Sequence, residues 1–168
     1  MPQDCTVSLP SEAEWEKAAR GGLDIPLANP VQTLPLSLAA RTMAANPQVA
    51  RNFPWEGDEE PERMNFAETG LGQTSPVGGF PSGASPYGVE ELSGNVWEWT
   101  RSLWRDYPYD PSDGREDLKA PGPRVLRGGA FFSNARLARC AYRYLSNPDN
   151  RYDSFGFRVV VSPFFSDL

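Results

Sequence analysis

Two cysteines, Cys5 and Cys140, are the only thiols of this 168-residue chain, and the sequence contains no histidine. Histidine is the commonest general base near neutral pH and the commonest ligand of transition metals. Its absence excludes a Ser-His-Asp triad and a histidine-bound metal, and two cysteines are too few for a cysteine-rich zinc site. Carboxylates and backbone carbonyls could still bind a hard cation such as calcium. The sequence leaves open whether the two cysteines form a disulfide.

The last quarter of the chain consists of short motifs separated by irregular, aromatic-rich segments. The motifs are Arg-Gly-Gly at 127–129, Arg-Cys-Ala-Tyr-Arg at 139–143, Asn-Pro-Asp at 147–149 and Gly-Phe-Arg at 156–158. Between them, aromatic rings alternate with serine, asparagine and aspartate, as in antibody paratopes, where rigid rings supply contact area and small polar groups adapt. The alternative for each tyrosine taken singly is an ordinary core residue. The predicted ligand-binding positions are Phe132, Ser133, Asn134, Leu137, Tyr142, Tyr144, Leu145, Ser146, Tyr152, Asp153 and Ser154.

Length and charge narrow the class of protein. The length fits a single domain over residues 1–168. The net charge of −6 and the pI of about 4.7 argue against nucleic acid as a partner. The sequence has neither a signal-peptide pattern nor an apolar run long enough for a membrane span. The prediction is a soluble protein, cytoplasmic by default, with display at a surface as the alternative.

One helix is clearly encoded near the start of the chain. Ser11 and Glu14 have the spacing of a capping box, in which each side chain bonds the other residue's backbone amide. Trp15 and Ala18 are then expected to face the core. The two glycines at 21–22 predict the end of the helix, because glycine adopts the left-handed conformation common there.

The remaining elements are predicted to be short. Residues 36–45 allow a short helix, residues 95–100 alternate like a strand, and residues 159–161 predict a final buried strand. Trp97 and Trp99 are interpreted as core residues, because large rings dominate small cores. The arginines of the last quarter are interpreted as braces that pair with carbonyls and acidic loops. Together these features predict a loop-rich α+β domain.

The order of the motifs resembles that of the formylglycine-generating enzyme (sulfatase-modifying factor) family. Residues 9–15 (Leu-Pro-Ser-Glu-Ala-Glu-Trp) and 94–99 (Gly-Asn-Val-Trp-Glu-Trp) precede the C-terminal motifs as they do in that family, and the resemblance covers residues 9–163. It implies a C-type lectin-like fold of the formylglycine-generating enzyme subtype, with short strands, one or two helices and long loops. It also implies that the N-terminal part of the family fold is missing from this chain.

The resemblance further implies that this member is not an enzyme. Family members that oxidise a substrate cysteine carry a reactive cysteine pair shortly after the Arg-Gly-Gly motif, but residues 130–137 read Ala-Phe-Phe-Ser-Asn-Ala-Arg-Leu. Cys140 is similar to a neighbouring structural cysteine, whose partner position is Ala19 here. A related branch that uses histidine-bound iron for ergothioneine synthesis is excluded by the absence of histidine.

Two calcium sites are also implied by the resemblance. The ligands of the first are the side chains of Glu91 and Glu98 and the carbonyls of Gly94 and Val96. Those of the second are Asn65 and the carbonyls of Phe66 and Leu71, with Thr69 at the position where the family has an aspartate. Alternating carbonyls and acids suit calcium. In the alternative, Glu98 and Asn95 only hydrogen-bond neighbouring loops.

Residues 124–158 additionally resemble the variable region of proteins diversified by diversity-generating retroelements. Such systems randomise adenines of asparagine codons, which cannot produce Lys, Gln, Glu, Met or Trp. None of these types occurs at the predicted binding positions. The resemblance implies a non-catalytic variable protein whose partner is a protein or a glycan. The alternatives are a structural or regulatory module of fixed specificity and a cysteine-oxidising enzyme.

Overall fold

A computed structural model describes residues 5–27 and 42–162. In these ranges the chain forms one α-helix, α1 (Glu12–Arg20), two 3-10 turns and a set of short strands. The strands are β1 (Thr6–Ser8), β2 (Asp24–Pro26), β3 (Met43–Ala45), β4 (Trp97–Leu103), β5 (Arg124–Arg127), β6 (Tyr144–Ser146), β7 (Phe155–Phe157) and β8 (Val160–Ser162). The loop-rich α+β class predicted from the sequence is confirmed. In the described part of the chain, no helix is long and apolar enough to cross a membrane.

Helix α1 begins and ends as its sequence predicts. The Ser11 hydroxyl accepts a hydrogen bond from the Glu14 amide at 3.1 Å, and the Glu14 carboxylate accepts one from the Ser11 amide at 2.7 Å. The helix ends at Gly21, whose φ of 78° is costly for residues with a side chain. Trp15 is fully buried, as is Ala19 one turn further on, which gives the helix its inner face.

The four-stranded sheet brings the separated motifs together. Its strand order is β6-β5-β4-β7, with β4 antiparallel to β5 and parallel to β7. Glu98 on β4 therefore lies between Arg127 on β5 and Gly156 on β7. Residues that are far apart in the sequence thus become neighbours at the centre of the domain.

Three elements differ from the sequence-based predictions. The strand expected over 95–100 is β4, which starts only at Trp97, because Asn95 has a φ of 64° and belongs to a turn. The final strand is not buried: Val159 and Val161 are 55% and 57% exposed, because among the described residues β8 pairs only with β1, in a two-stranded sheet. Of the short helix expected over 36–45, residues 36–41 lie outside the described ranges, and 43–45 form β3.

The buried hydrophobic residues form three clusters. The first is Phe53, Trp55, Met64, Phe66 and Ala138. The second is Trp15, Ala19, Leu92 and Cys140. The third is Trp97, Leu126 and Ala130, with Trp99, Leu137, Tyr142 and Phe155 packed against it. Two of the predicted binding positions, Leu137 and Tyr142, pack against the third cluster.

Candidate ligand-binding site

A cavity of about 470 Å³ is formed by strands β4, β6 and β7 and by the segments around 132–142 and 147–154. It is lined by Trp97, Phe132, Ser133, Leu137, Tyr142, Tyr144, Leu145, Ser146, Asn147, Asn150, Tyr152, Ser154 and Phe155. The sheet order explains this convergence, because β6 and β7 lie at opposite edges of the sheet with Trp97 on β4 between them. The size lies in the range of about 300–1,000 Å³ typical of ligand pockets.

All of the predicted binding positions line this cavity except Asn134 and Asp153. Both exceptions are exposed. The Asn134 side chain accepts a hydrogen bond from the Leu137 amide at 3.3 Å, so its role is to close a turn. That the remaining positions bind a ligand stays a prediction; the structure shows that they share one concave surface.

Four lining residues were missed by the sequence interpretation: Trp97, Asn147, Asn150 and Phe155. Trp97 is only 5% exposed, in agreement with its assignment to the core, but it also lies at the base of the cavity. Its ring lies 5.9 Å from that of Tyr142 and 5.2 Å from that of Tyr144. Only the strand order reveals this second role, because no local pattern distinguishes Trp97 from Trp99.

Ring contacts hold the cavity walls in place. Phe155 packs edge-to-face against Tyr152 at 4.9 Å and against Trp99 at 5.5 Å. Edge-to-face pairs of this kind add about 0.5–1.5 kcal/mol beyond the area that they bury. The aromatic walls are therefore preorganised, which lowers the entropy cost of binding.

Arg143 links the cavity wall to helix α1. It lies between the lining residues Tyr142 and Tyr144, and its guanidinium contacts the buried carboxylate of Glu12 through two nitrogens. The same guanidinium lies 4.3 Å from the Trp104 ring and 4.4 Å from the Tyr107 ring. The bracing role predicted for Arg143 is confirmed, because its guanidinium is paired with Glu12 and packed against two aromatic rings of the same chain.

Glu98 does not have the surroundings of a calcium ligand. It is 5% exposed, and Arg158 donates to both of its oxygens, from Nε at 2.5 Å and from Nη2 at 2.6 Å. The Trp15 indole N–H donates to the same carboxylate at 2.7 Å. Arg158 also donates to the carbonyls of Glu90 and Glu91. A guanidinium thus supplies the positive charge here, which agrees with the alternative that Glu98 hydrogen-bonds neighbouring loops.

The other expected ligands of the first calcium site are not directed to the same point. The Gly94 carbonyl accepts the Val96 amide at 2.9 Å. The carboxylate of Glu91 faces the backbone amides of residues 78–80, but neither oxygen makes a hydrogen bond of good geometry in the described part of the chain. No group of three or more acidic or cysteine side chains in the described ranges could hold a metal ion. Calcium at this loop stays a prediction, and this arrangement of residues does not fit it.

The second expected calcium site offers one free oxygen. Asn65 is fully buried, and its Nδ2 donates to the Gln73 carbonyl at 2.9 Å, which leaves Oδ1 without a partner among the described residues. Thr69 closes a turn instead, since its hydroxyl donates to the Met64 carbonyl at 2.7 Å and accepts the Phe66 amide. Calcium takes about six to eight oxygen ligands. Asn65 fits such a site, whereas Thr69 contributes no charge, and Leu71 is 48% exposed.

Replacing Glu91 with glutamine should stabilise the protein at neutral pH. Burial raises the pKa of Glu91, and the nearby Glu90 raises it further, against the lowering effect of the 78–80 amides. A raised pKa means that the folded state binds the proton more tightly, so stability falls as pH rises from the unfolded pKa through the folded one. Glu91→Gln should therefore raise the melting temperature at pH 7 in a chelator, with a smaller gain near pH 4. A lower melting temperature at pH 7 would contradict this account.

Cys140 is a structural residue with an inert thiol. It is fully buried, and burial raises its pKa to about 12. It packs in the same cluster as Ala19, the position that the family resemblance implied for its partner. Cys5 and Cys140 are both free in the structure, so they do not form a disulfide.

Cys140 is expected to resist thiol reagents until the protein unfolds. At pH 8, four units below a pKa of about 12, only about one thiol in 10⁴ is ionised, and burial blocks access as well. In a Cys5→Ser variant, labelling should be more than about 1,000-fold slower in buffer than in denaturant. Mass spectrometry over time measures both rates. Fast labelling in buffer would mean that the thiol is accessible and activated.

Comparison with known proteins identifies the class to which this fold and site belong. Residues 4–163 match the family described as the sulfatase-modifying factor enzyme 1-like domain. The chain therefore belongs to this family, and the resemblance seen in its motifs is confirmed.

Relatives within the family include both active and inactive proteins. The chain is 29% identical to mouse formylglycine-generating enzyme, over 91% of this chain and 38% of the mouse protein. It is 32% identical to mouse inactive C-alpha-formylglycine-generating enzyme 2, over 92% of this chain and 42% of that protein. The chain thus spans about two fifths of these relatives.

Two solved structures share the fold. PvdO from Pseudomonas aeruginosa matches with a TM-score of 0.65 and 30% identity, over 92% of this chain and 52% of that one. Treponema denticola variable protein 1 matches with a TM-score of 0.57 and 25% identity, over 92% of this chain and 47% of that one. The second match agrees with the resemblance of residues 124–158 to a variable region.

Proposed function

We propose that this domain is a non-catalytic ligand-binding protein whose binding site is the aromatic cavity around Trp97. The observation that carries the proposal is the convergence of the predicted binding positions on one concave surface. These positions come from separate segments of the sequence, and only the fold makes them neighbours. Rings with free edges next to small polar side chains give contact area and adaptable hydrogen bonding, as recognition surfaces require.

Cysteine oxidation is the less favoured function. The segment that carries the reactive cysteines in oxidising family members has none here, and Cys140 is buried with its pKa raised to about 12. A thiol that stays protonated is neither a good nucleophile nor a good metal ligand. The similarity to a mouse relative named inactive supports the same interpretation.

We further propose that the cavity is diversified by a retroelement. The similarity to a Treponema denticola variable protein supports this, as do the residue types at the lining positions within 124–158. Trp97 lies outside this segment, in the part that would remain constant, and tryptophan is a type that randomised asparagine codons cannot give. The site would then combine a fixed aromatic base with a variable rim.

Sequencing the DNA beside the gene tests this proposal. The expected finding is a reverse transcriptase gene and a near-copy of the coding segment for 124–158 that differs only at adenines. The differences should fall in codons of cavity positions such as Tyr142, Tyr144 and Tyr152, and should spare Arg127 and Arg143, which are paired inside the fold. If no such copy is found, the proposed diversification is wrong and the domain has a fixed specificity. A copy with differences mainly at core codons would contradict the assigned surface.

A direct assay separates the binding function from the enzymatic one. A cysteine-containing peptide is incubated with the protein under air, and formylglycine is sought by mass spectrometry. No formylglycine is expected. Its appearance would overturn the non-catalytic proposal, regardless of what the DNA shows.

A further inference from the structure

The tyrosines of this chain fall into two groups according to their hydroxyls. Outside the cavity, each hydroxyl is bonded within the chain: Tyr87 to the Asp24 carbonyl, Tyr107 to Glu12 and Glu16, and Tyr109 to Glu116. Inside it, the hydroxyls of Tyr142, Tyr144 and Tyr152 have no hydrogen-bond partner in the part of the chain that the structure describes. The free hydroxyls are thus concentrated on one surface.

Other polar groups of the cavity are free as well. The indole N–H of Trp97 and the side-chain amide of Asn147 have no hydrogen-bond partner among residues 5–27 and 42–162. A ligand that covers the cavity must therefore offer hydrogen-bond groups of its own, because an apolar ligand would bury these donors and acceptors unpaired.

The residues that line the cavity, within the ranges that the structure describes, carry no charged side chain. They are aromatic, aliphatic, serine or asparagine, without Asp, Glu, Lys or Arg. A charged ligand entering such a cavity would lose its hydration without gaining a counter-charge, which is unfavourable. Arg143, which lies between the lining residues Tyr142 and Tyr144 in the sequence, is already paired with Glu12. The ligand chemistry is therefore neutral.

We infer that the cavity binds a neutral saccharide, with a pyranose ring on the aromatic walls and its hydroxyls bonded to the free tyrosine and asparagine groups. This rests on the proposed binding function. A pyranose has C–H-rich faces that pack on aromatic rings and a rim of uncharged hydroxyls, so it matches both properties of the lining. A protein partner would need a contact surface of about 800 Å² on each side, much of it outside this concave site.

A panel of immobilised glycans tests the inference. It contains neutral oligosaccharides of glucose, galactose, mannose and N-acetylhexosamines, together with sialylated and sulfated forms of the same cores. The wild type is compared with Tyr142→Phe and Tyr152→Phe, which remove one hydroxyl and keep the ring. Tyr109→Phe, outside the cavity, is the matched control.

The expected result is binding of at least one neutral glycan, with a dissociation constant about five- to tenfold weaker in each cavity variant. Tyr109→Phe should bind like the wild type. Binding only to acidic glycans, equal binding by the cavity variants, or no binding to any glycan would overturn the inference. The proposed function fails on a different result, the formation of formylglycine in the peptide assay. An adenine-specific template beside the gene combined with no glycan binding would overturn the saccharide alone and keep the variable binding domain.

Discussion

Glu98→Ala should lower the free energy of unfolding by about 3–5 kcal/mol, the cost typical of removing one partner from a buried ion pair. The substitution leaves the guanidinium of Arg158, which is 22% exposed, without its carboxylate. It also leaves the indole N–H of Trp15, which is fully buried in the second hydrophobic cluster, without an acceptor. Because Arg158 supplies the compensating charge, the loss should be the same in calcium and in a chelator.

Urea unfolding with and without calcium measures the loss of unfolding free energy and its dependence on calcium. Glu60→Ala is a suitable control, because the side chains of its pair with Arg63 are 30% (Arg63) and 45% (Glu60) exposed, and the pair should contribute no more than about 1 kcal/mol. Glu98→Gln should have an intermediate effect, since it keeps an acceptor for Trp15 but removes the charge. If calcium instead stabilised the wild type and failed to stabilise Glu98→Ala, Glu98 would be a metal ligand and Arg158 would be a secondary contact.

Local signals in the sequence predicted local structure well. The capping box at Ser11 and Glu14 formed as expected, because both partners lie three residues apart on one turn. The structural role that the family resemblance implied for Cys140 agrees with its burial and its raised pKa. Most of the residues that line the cavity were among the predicted binding positions, because aromatic and small polar residues alternate there without the periodicity of a core element.

The features that depend on strand pairing could not be predicted from the sequence. Glu98 and Arg158 are 60 residues apart, and only the parallel pairing of β4 with β7 makes them neighbours. Val159 and Val161 have the composition of a buried strand, but within the described ranges β8 has only β1 beside it, and both valines remain exposed. Residue type predicts burial only when a second layer is present, and the sequence does not show whether one is.

The turn before β4 sets the position of Trp97. Gly94 donates its amide to the Gly128 carbonyl at 2.7 Å, and the Asn95 amide donates to the Asn65 carbonyl at the same distance. These bonds connect the turn to the Arg-Gly-Gly motif and to the loop of Asn65. Any shift at Gly94 would therefore move the base of the cavity as well as the loop before it.

Gly94→Ala is accordingly expected to destabilise the domain by more than about 4 kcal/mol or to prevent folding, a size seen only for severe core defects. A Cβ at this position would lie 2.1 Å from the Asn65 carbonyl oxygen, and that backbone atom cannot move aside cheaply. Gly70→Ala is the matched control: its φ of 75° is close to the 78° of Gly94, but nothing lies within 4 Å of the added carbon. Both variants carry the left-handed backbone cost of about 1–2 kcal/mol, and only Gly94→Ala adds the steric clash. Urea unfolding gives the free energy of unfolding of both variants, and the difference between them is the cost of the clash. Equal losses of stability would mean that the Asn65 loop can move to accommodate a methyl group.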